Sequence, residues 1–206
     1  MKKRPKWGSI IIGITLSVTV WQFSQGNLVS AQAWVAQNLL HTAWLRAQAS
    51  GRQVEPWPWA NAWPLARLSV PQLNIEKIVL NQANDEGLSS FALGHSKNSV
   101  LPGELGNSVL NLHNRETFTR FLKQLKQGDT LVLDSLGSGS WNYQVSAIYI
   151  VDKTDTYLVE PSLNRRLTLI SCYFCTKQDS RRYVVVAEEI ERVAEKKGNH
   201  RGIAPT

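Results

Sequence analysis

The stretch "LTLISCYFCTKQDSRRYVVVAEE", Leu167 to Glu189, decides how this chain is read. Two runs of β-branched and apolar residues, "RRLTLISC" and "RRYVVVAEE", flank a short polar segment and read as a final pair of strands. The same stretch carries both cysteines of the chain, Cys172 and Cys175, spaced C-x-x-C. Cys172 ends the apolar run "LTLIS", so its thiol is expected at a strand end, facing a cleft. Arg182 begins the next strand, and pairing of the two runs would bring a guanidinium beside the thiol. Such a pattern fits a redox pair, half of a metal site, or a single nucleophile.

Working outward, the pattern stays β-rich from Leu65 onward. "LARLSVPQLNI" and "EKIVLN" read as two short strands broken by Pro71. "NSVLNLHN", Asn107 to Asn114, is a strand ending on His113. "DTLVLDSL" and "SWNYQVSAIYIVD" alternate as strands around a "GSGS" turn. "TFTRFLKQLKQG" has Phe118, Phe121, Leu122 and Leu125 at helical spacing, with Gly128 as a stop. One short helix among about eight short strands predicts a mainly β fold, a barrel or sandwich. The absence of βαβ repetition excludes a doubly wound sheet.

The chain has 206 residues and a net charge of +7. Part of that charge is Lys2, Lys3, Arg4 and Lys6, and the rest is scattered, without a basic stripe interleaved with aromatics, which argues against nucleic acid as a partner. The basic tip precedes the uncharged "WGSIIIGITLSVTVWQF", Trp7 to Phe23, which reads as a membrane helix with the positive flank in the cytoplasm. A cleaved leader with a site in "VSAQA", Val29 to Ala33, is the rival reading. Leu28, Trp34, Val35, Leu39, Leu40, Trp44 and Leu45 then form an amphipathic helix pattern. Alternating Pro and Trp between Pro56 and Pro64 form a stiff linker. The expected organisation is a basic tip and anchor over 1–24, an amphipathic helix and linker over 25–62, a folded domain over 63–192 and a tail over 193–206.

Other chemistries fit poorly. "GSGS" lacks the spacing of a serine nucleophile elbow and sits in a hairpin turn. No Gly-rich phosphate loop is present. Two cysteines with His41, His95, His113 and His200 suffice arithmetically for zinc, but no second pair has finger-like spacing. An outward-facing C-x-x-C would lie in an oxidising compartment, yet "CYFCTKQDS" is followed by no helix pattern of the kind that activates a thioredoxin-like cysteine. A lone cysteine nucleophile needs a base or cationic partner and a donor for the oxyanion, roles that His113 and Arg182 have the chemistry to fill.

Taken together, these residues resemble the sortase family of cysteine transpeptidases. "LTLISC" followed by "RRYVVVAEE" is similar to the family's T-L-x-T-C strand and its later R-Y-V-V strand. "GELGNSVLNLHNRETFTRFLKQLKQGDTLVL" resembles the segment in which a G-N-x-V-x-x-G-H strand precedes a short helix and a G-D turn. The likeness runs from about Trp63 to Glu189, and the Trp-rich lead "PWPWANAWPLARL" looks closest to the class GN sortases of Gram-negative proteobacteria. Leu112 stands where the family has Gly, Asn114 separates His113 from Arg115, and the loop holding Cys175 is short.

The resemblance implies an eight-stranded β-barrel with short helices and assigns the catalytic roles to Cys172, His113 and Arg182, with Arg181 as the alternative arginine. Ser171 takes the place of the Thr before the nucleophile, and Ser171, Tyr173 and Asn114 are implied substrate contacts. His95, in the family's G-H turn, is outside the catalytic three. It implies hydrolase-class chemistry: attack of Cys172 on a C-terminal sorting signal of a secreted, membrane-anchored partner, a thioester, and transfer to an amine acceptor. No metal or organic cofactor is implied. The expected location is the inner membrane, single-pass, with the N-terminus cytoplasmic and the catalytic domain periplasmic. A catalytically weak binding module and a C-x-x-C redox protein are the other readings.

Overall fold

The computed structural model describes residues 32–82, 91–112, 116–174 and 180–190. The chain divides into two units, Met1–Pro64 and Leu65–Thr206. In the first, residues 32–50 form a helix, α1. Five alanines and no internal Gly or Pro favour it. Gly51, at φ +66°, ends it, and its N–H donates to the carbonyl of Ala47 at 2.9 Å. Ala36, Leu40, Ala43, Trp44 and Ala47 are buried at i, i+4, i+7, i+8 and i+11, one face of the helix. The Trp/Pro segment follows without regular structure until Pro64. Among the described residues no helix is long and apolar enough to cross a membrane; Trp7–Phe23, read above as one, lies outside them.

The second unit is a closed eight-stranded barrel. Its strands are β1 (Pro64–Val70), β2 (Ile75–Leu80), β3 (Leu93–His95), β4 (Asn107–Asn111), β5 (Thr130–Ser135), β6 (Gly139–Asp152), β7 (Arg166–Cys172) and β8 (Arg181–Glu189). A helix, α2 (Glu116–Gln124), lies between β4 and β5. Around the barrel the order is β1-β2-β3-β4-β7-β8-β6-β5. β2–β3 and β4–β7 are parallel, and the pairs β1–β5, β3–β4, β5–β6, β6–β8 and β7–β8 are antiparallel. Pro71 breaks the first hairpin as a 3-10 turn, Pro71–Leu73, closed by Asn74 in the left-handed region at φ 50°.

The interior is filled by alternate residues of every long strand. β1 contributes Ala66, Leu68 and Val70; β7 contributes Leu167 and Leu169; β8 contributes Val185 and Ala187. Phe121, Leu122 and Leu125, from α2 and the turn after it, join the same cluster. β7 departs from simple alternation: Leu167 through Ser171 are all buried. Its outward residues are covered too, because Ile170 packs with Val109, Val184, Val186 and Leu158 in a second cluster outside the barrel. Leu158 belongs to a 3-10 turn, Tyr157–Val159, in the segment joining β6 to β7. A continuous apolar run is what a strand buried on both faces needs, and "LTLI" supplies it.

Candidate active site

Strand parity decides where the candidate side chains point. Leu167 and Leu169 face the interior, so Ser171 does too, opposite Tyr183, which packs on the interior cluster. Thr168, Ile170 and Cys172 therefore line the outer face. Ser171 is only 3% exposed, on the other side of the strand from Cys172. This orientation suits packing rather than contact with a substrate at the outer face.

Cys172 is directly opposite Arg182 in the β7–β8 ladder. The next pair out, Tyr173 and Arg181, is hydrogen-bonded: the Tyr173 N–H donates to the Arg181 carbonyl at 3.0 Å. Antiparallel pairs alternate, so Cys172 and Arg182 form a narrow, non-hydrogen-bonded pair, the kind with Cβ atoms about 4.5–5.5 Å apart. Arg182 is exposed. β6 holds the entry to β8 in place: the Lys153 N–H donates to the Ser180 carbonyl at 3.0 Å, and the Ser180 hydroxyl donates to an Asp152 carboxylate oxygen at 2.7 Å. That hydroxyl is also the main reason why the exposed Asp152 carboxyl titrates below its ordinary range.

Cys172 is disulfide-bonded in this structure, and the sequence holds one other cysteine, Cys175, which lies outside the described residues. His113, Asn114 and Arg115 lie outside them as well. The described part of β4 reaches close to the site. It runs parallel to β7 with Asn111 opposite Ile170, and the Leu112 N–H donates to the Ile170 carbonyl at 2.7 Å. Leu112 packs in the interior.

Lys123, Phe174 and Tyr183, which the sequence did not single out, gather around Tyr173. Lys123, in the last turn of α2, donates from Nζ to the Tyr173 carbonyl at 3.1 Å and stands 4.9 Å from the centre of the Tyr173 ring. The Arg181 guanidinium stands 4.9 Å from the same ring. Tyr173 stacks on Tyr183 at 6.4 Å and meets Phe174 edge-on at 4.5 Å. Burial, reinforced by Tyr173, raises the Tyr183 hydroxyl pKa. Tyr173, an expected substrate contact, is thus held in an aromatic and cationic cluster next in the chain to Cys172.

Asn107, on β4, fastens the segment that joins β6 to β7. Its Nδ2 donates to the carbonyls of Leu158 and Glu160, both at 3.0 Å, and its Oδ1 accepts from the Thr168 hydroxyl at 2.8 Å. Asn107 and Thr168 are buried. The amide thereby fastens the β6–β7 segment to the outer face along which Thr168, Ile170 and Cys172 follow one another. His95 is buried near the other end of β4, its Nε2 2.9 Å from the Val100 carbonyl and 3.1 Å from the Ser99 hydroxyl, a structural setting. Among the described residues no cluster of His, Cys, Asp or Glu is arranged to hold a metal ion.

Cys172, at the end of β7, and the exposed Arg182 opposite it place a sulfur and a cationic donor at one end of the barrel. Comparison with known proteins identifies the family. The family model described as "Sortase domain" matches residues 68–190, more than half of the chain. Sortase D of Bacillus subtilis (strain 168) is 34% identical over 107 residues, which cover 52% of each chain. Sortase A of Bacillus anthracis is 29% identical over 135 residues, 64% of this chain and 62% of that one. The chain thus spans about half to three-fifths of the length of these relatives. Among solved structures, a Clostridium perfringens Sortase D5 transpeptidase matches with a TM-score of 0.59 at 19% identity, covering 76% of this chain and 99% of that one. Listeria monocytogenes sortase A matches with a TM-score of 0.55 at 21% identity, covering 62% and 88%. These two structural likenesses bear on the fold alone, and they agree with the eight-stranded barrel. With its family model matched across the barrel, from β1 to the end of β8, the chain belongs to the sortase family.

Proposed function

We propose that this chain is a membrane-anchored cysteine transpeptidase that cleaves a C-terminal sorting signal on a secreted partner and transfers it to an amine. The observation that carries the reading is the narrow Cys172–Arg182 pair on the outer face of the barrel. In the reduced enzyme the Cys172 thiolate attacks the backbone carbonyl of the signal. Arg182 donates to the oxyanion, a charge-assisted contact that strengthens as negative charge develops. The tetrahedral intermediate collapses to a thioester and expels an amine, which His113 protonates. An acceptor amine then gives up its proton to His113 as it attacks the thioester, and Cys172 leaves. Support for His113 is its covalent link to Leu112, whose N–H is bonded to Ile170, two residues from Cys172.

The anchor is assigned to Trp7–Phe23, with the catalytic unit outside the cytoplasmic membrane; a tether of this kind holds enzyme and substrate at one surface and raises their effective concentration. Membership of the class GN group is proposed from the Trp-rich lead, while the relatives matched above are sortases of Gram-positive bacteria. The test is co-expression with a secreted protein ending in a short motif, an apolar helix and a basic tail. Mass spectrometry should find the partner cleaved after the motif by the natural chain and intact beside Cys172→Ala. Processing by Cys172→Ala would sink the assignment.

The disulfide at Cys172 favours a second reading, a C-x-x-C oxidoreductase. Against it, Cys172 ends a strand rather than opening a helix, so it lacks the helix N-terminus that lowers the pKa of redox-active cysteines.

A further inference from the structure

The face of α1 opposite its buried residues carries four exposed large apolar side chains, with Asn38, Thr42 and Arg46 among them. Trp34 is 68% exposed, Leu45 48%, Val35 47% and Leu39 39%. At about 100° per residue the four fall within an arc of roughly 140°, centred opposite Leu40, Ala43 and Trp44. They extend over about 16 Å of helix. Exposed residues of an ordinary surface helix are mostly polar, and several large apolar side chains gathered on the outer side mark a partner. The sequence specifies what kind. Between Phe23 and Glu55 no Asp or Glu occurs, whereas Arg46 and Arg52 both do. Arg46 projects from the same face, where a long stem can lie along hydrocarbon while its head reaches a phosphate. The uncharged run Trp7–Phe23 ends only eleven residues before Trp34.

We propose that Trp34, Val35, Leu39 and Leu45 form a docking face for a phospholipid surface with anionic headgroups. The helix lies in the plane of the interface, its apolar side about 5–10 Å into the headgroup boundary, with Arg46 at the phosphates. Indole is suited to that depth, since its ring is apolar and its N–H finds a polar partner there. This contact is separate from any membrane span in the preceding residues and does not depend on the catalytic reading.

The test uses the full chain reconstituted into vesicles of phosphatidylethanolamine and phosphatidylglycerol, with and without bromine on the acyl chains near the headgroup. The emission of Trp34 is the difference between the natural chain and Trp34→Phe. Brominated lipid should quench that difference by about twofold or more, while aqueous acrylamide quenches it far less than free indole. Replacing Leu39 and Leu45 by Ser, both exposed and so neutral to folding, should shift Trp34 back toward acrylamide with an unchanged melting profile. Trp34 quenched by acrylamide and untouched by brominated lipid overturns the proposal. Shielding from both quenchers also overturns it, because protein then covers the face. Equal bromine quenching in purely zwitterionic vesicles overturns the anionic specification.

Discussion

Replacing Asn107 by Ala removes three hydrogen bonds from a dry site: two donated to the carbonyls of Leu158 and Glu160, and one accepted from Thr168. Each bond contributes about 1 kcal/mol net, and a buried polar group left without a partner costs about 1–3 kcal/mol. The Thr168 hydroxyl is also 3.4 Å from the Leu158 carbonyl, so it retains a weaker acceptor. The Glu160 carbonyl lies near the surface and regains water. The expected loss is therefore about 2–4 kcal/mol, carried mainly by the Leu158 carbonyl and the missing amide. Thr168→Val alone removes one bond and should cost about 1–1.5 kcal/mol. The two changes share the Thr168–Asn107 bond, so the double variant should fall short of their sum by about 1 kcal/mol.

Urea denaturation of the barrel, followed by near-ultraviolet circular dichroism, reads these losses as shifts of the midpoint at constant slope. The geometry predicts a functional consequence as well. The β6–β7 segment should loosen from the outer face in Asn107→Ala, so KM for the sorting signal rises more than kcat falls. A loss under 1 kcal/mol for Asn107→Ala, or strict additivity in the double variant, would refute the claim that this amide fastens the β6–β7 segment.

Three other substitutions and conditions probe the site and the core. Arg182→Ala should lower kcat by roughly 100-fold to 1000-fold with a small change in KM, and Arg182→Lys should restore part of it, because a single ammonium replaces a fork of donors; less than a threefold effect in steady-state kinetics excludes Arg182 from oxyanion binding. Because Cys172 is disulfide-bonded, alkylation of its sulfur by iodoacetamide should require prior reduction, and activity should rise with it; full labelling without reductant, read by peptide mass spectrometry, contradicts this. Tyr143 is buried, and burial, aided by Glu189 and opposed by Arg165, pushes its pKa up to about 12. The native state therefore holds this proton after the unfolded chain has released its own near pH 10, so stability should fall by about 2–3 kcal/mol between pH 10 and 12. Urea midpoints measured across that range should lose this slope in Tyr143→Phe, and an unchanged slope would count against the assignment.

The strands were legible because their periodicity is local. Alternation marks β1, Pro71 marks the break before β2, and the run "LTLI" marks a strand covered on both sides. The neighbours of those strands were not legible from pattern alone. β4 lies beside β7, with Asn107 opposite Arg166, and no local rule links positions so far apart. The cover over the outer face was equally silent. Leu158 sits in a polar connection, "KTDTYLVEPSLN", and only its burial with Ile170 and Val184 reveals its role. Ser171, a substrate contact by the resemblance alone, faces the interior, because adjacent residues on a strand point to opposite sides.

The location of the site follows from the sheet order rather than from the C-x-x-C spacing. β4 and β7 are parallel neighbours, so both end on the same side of the barrel. Parallel strands require long crossovers, which leave from and return to the ends, so side chains at their carboxyl ends face loops instead of neighbouring ladder. Leu112 and Cys172 leave their strands there, and β8, antiparallel to β7, must enter at the same end, which brings in Arg182. β6 ends there as well, and Asp152 ties it to Ser180. Three carboxyl ends, of β4, β6 and β7, and the amino end of β8 thus converge on a single rim. Whatever loop followed Cys172, the antiparallel register would still set a guanidinium opposite its sulfur. Cys175 falls in the sequence between β7 and β8. A bond at the Cys172 sulfur therefore acts on a side chain already positioned by the barrel. It withholds the thiolate without being needed to build the pair, and a reduced chain should keep the Cys172–Arg182 register intact.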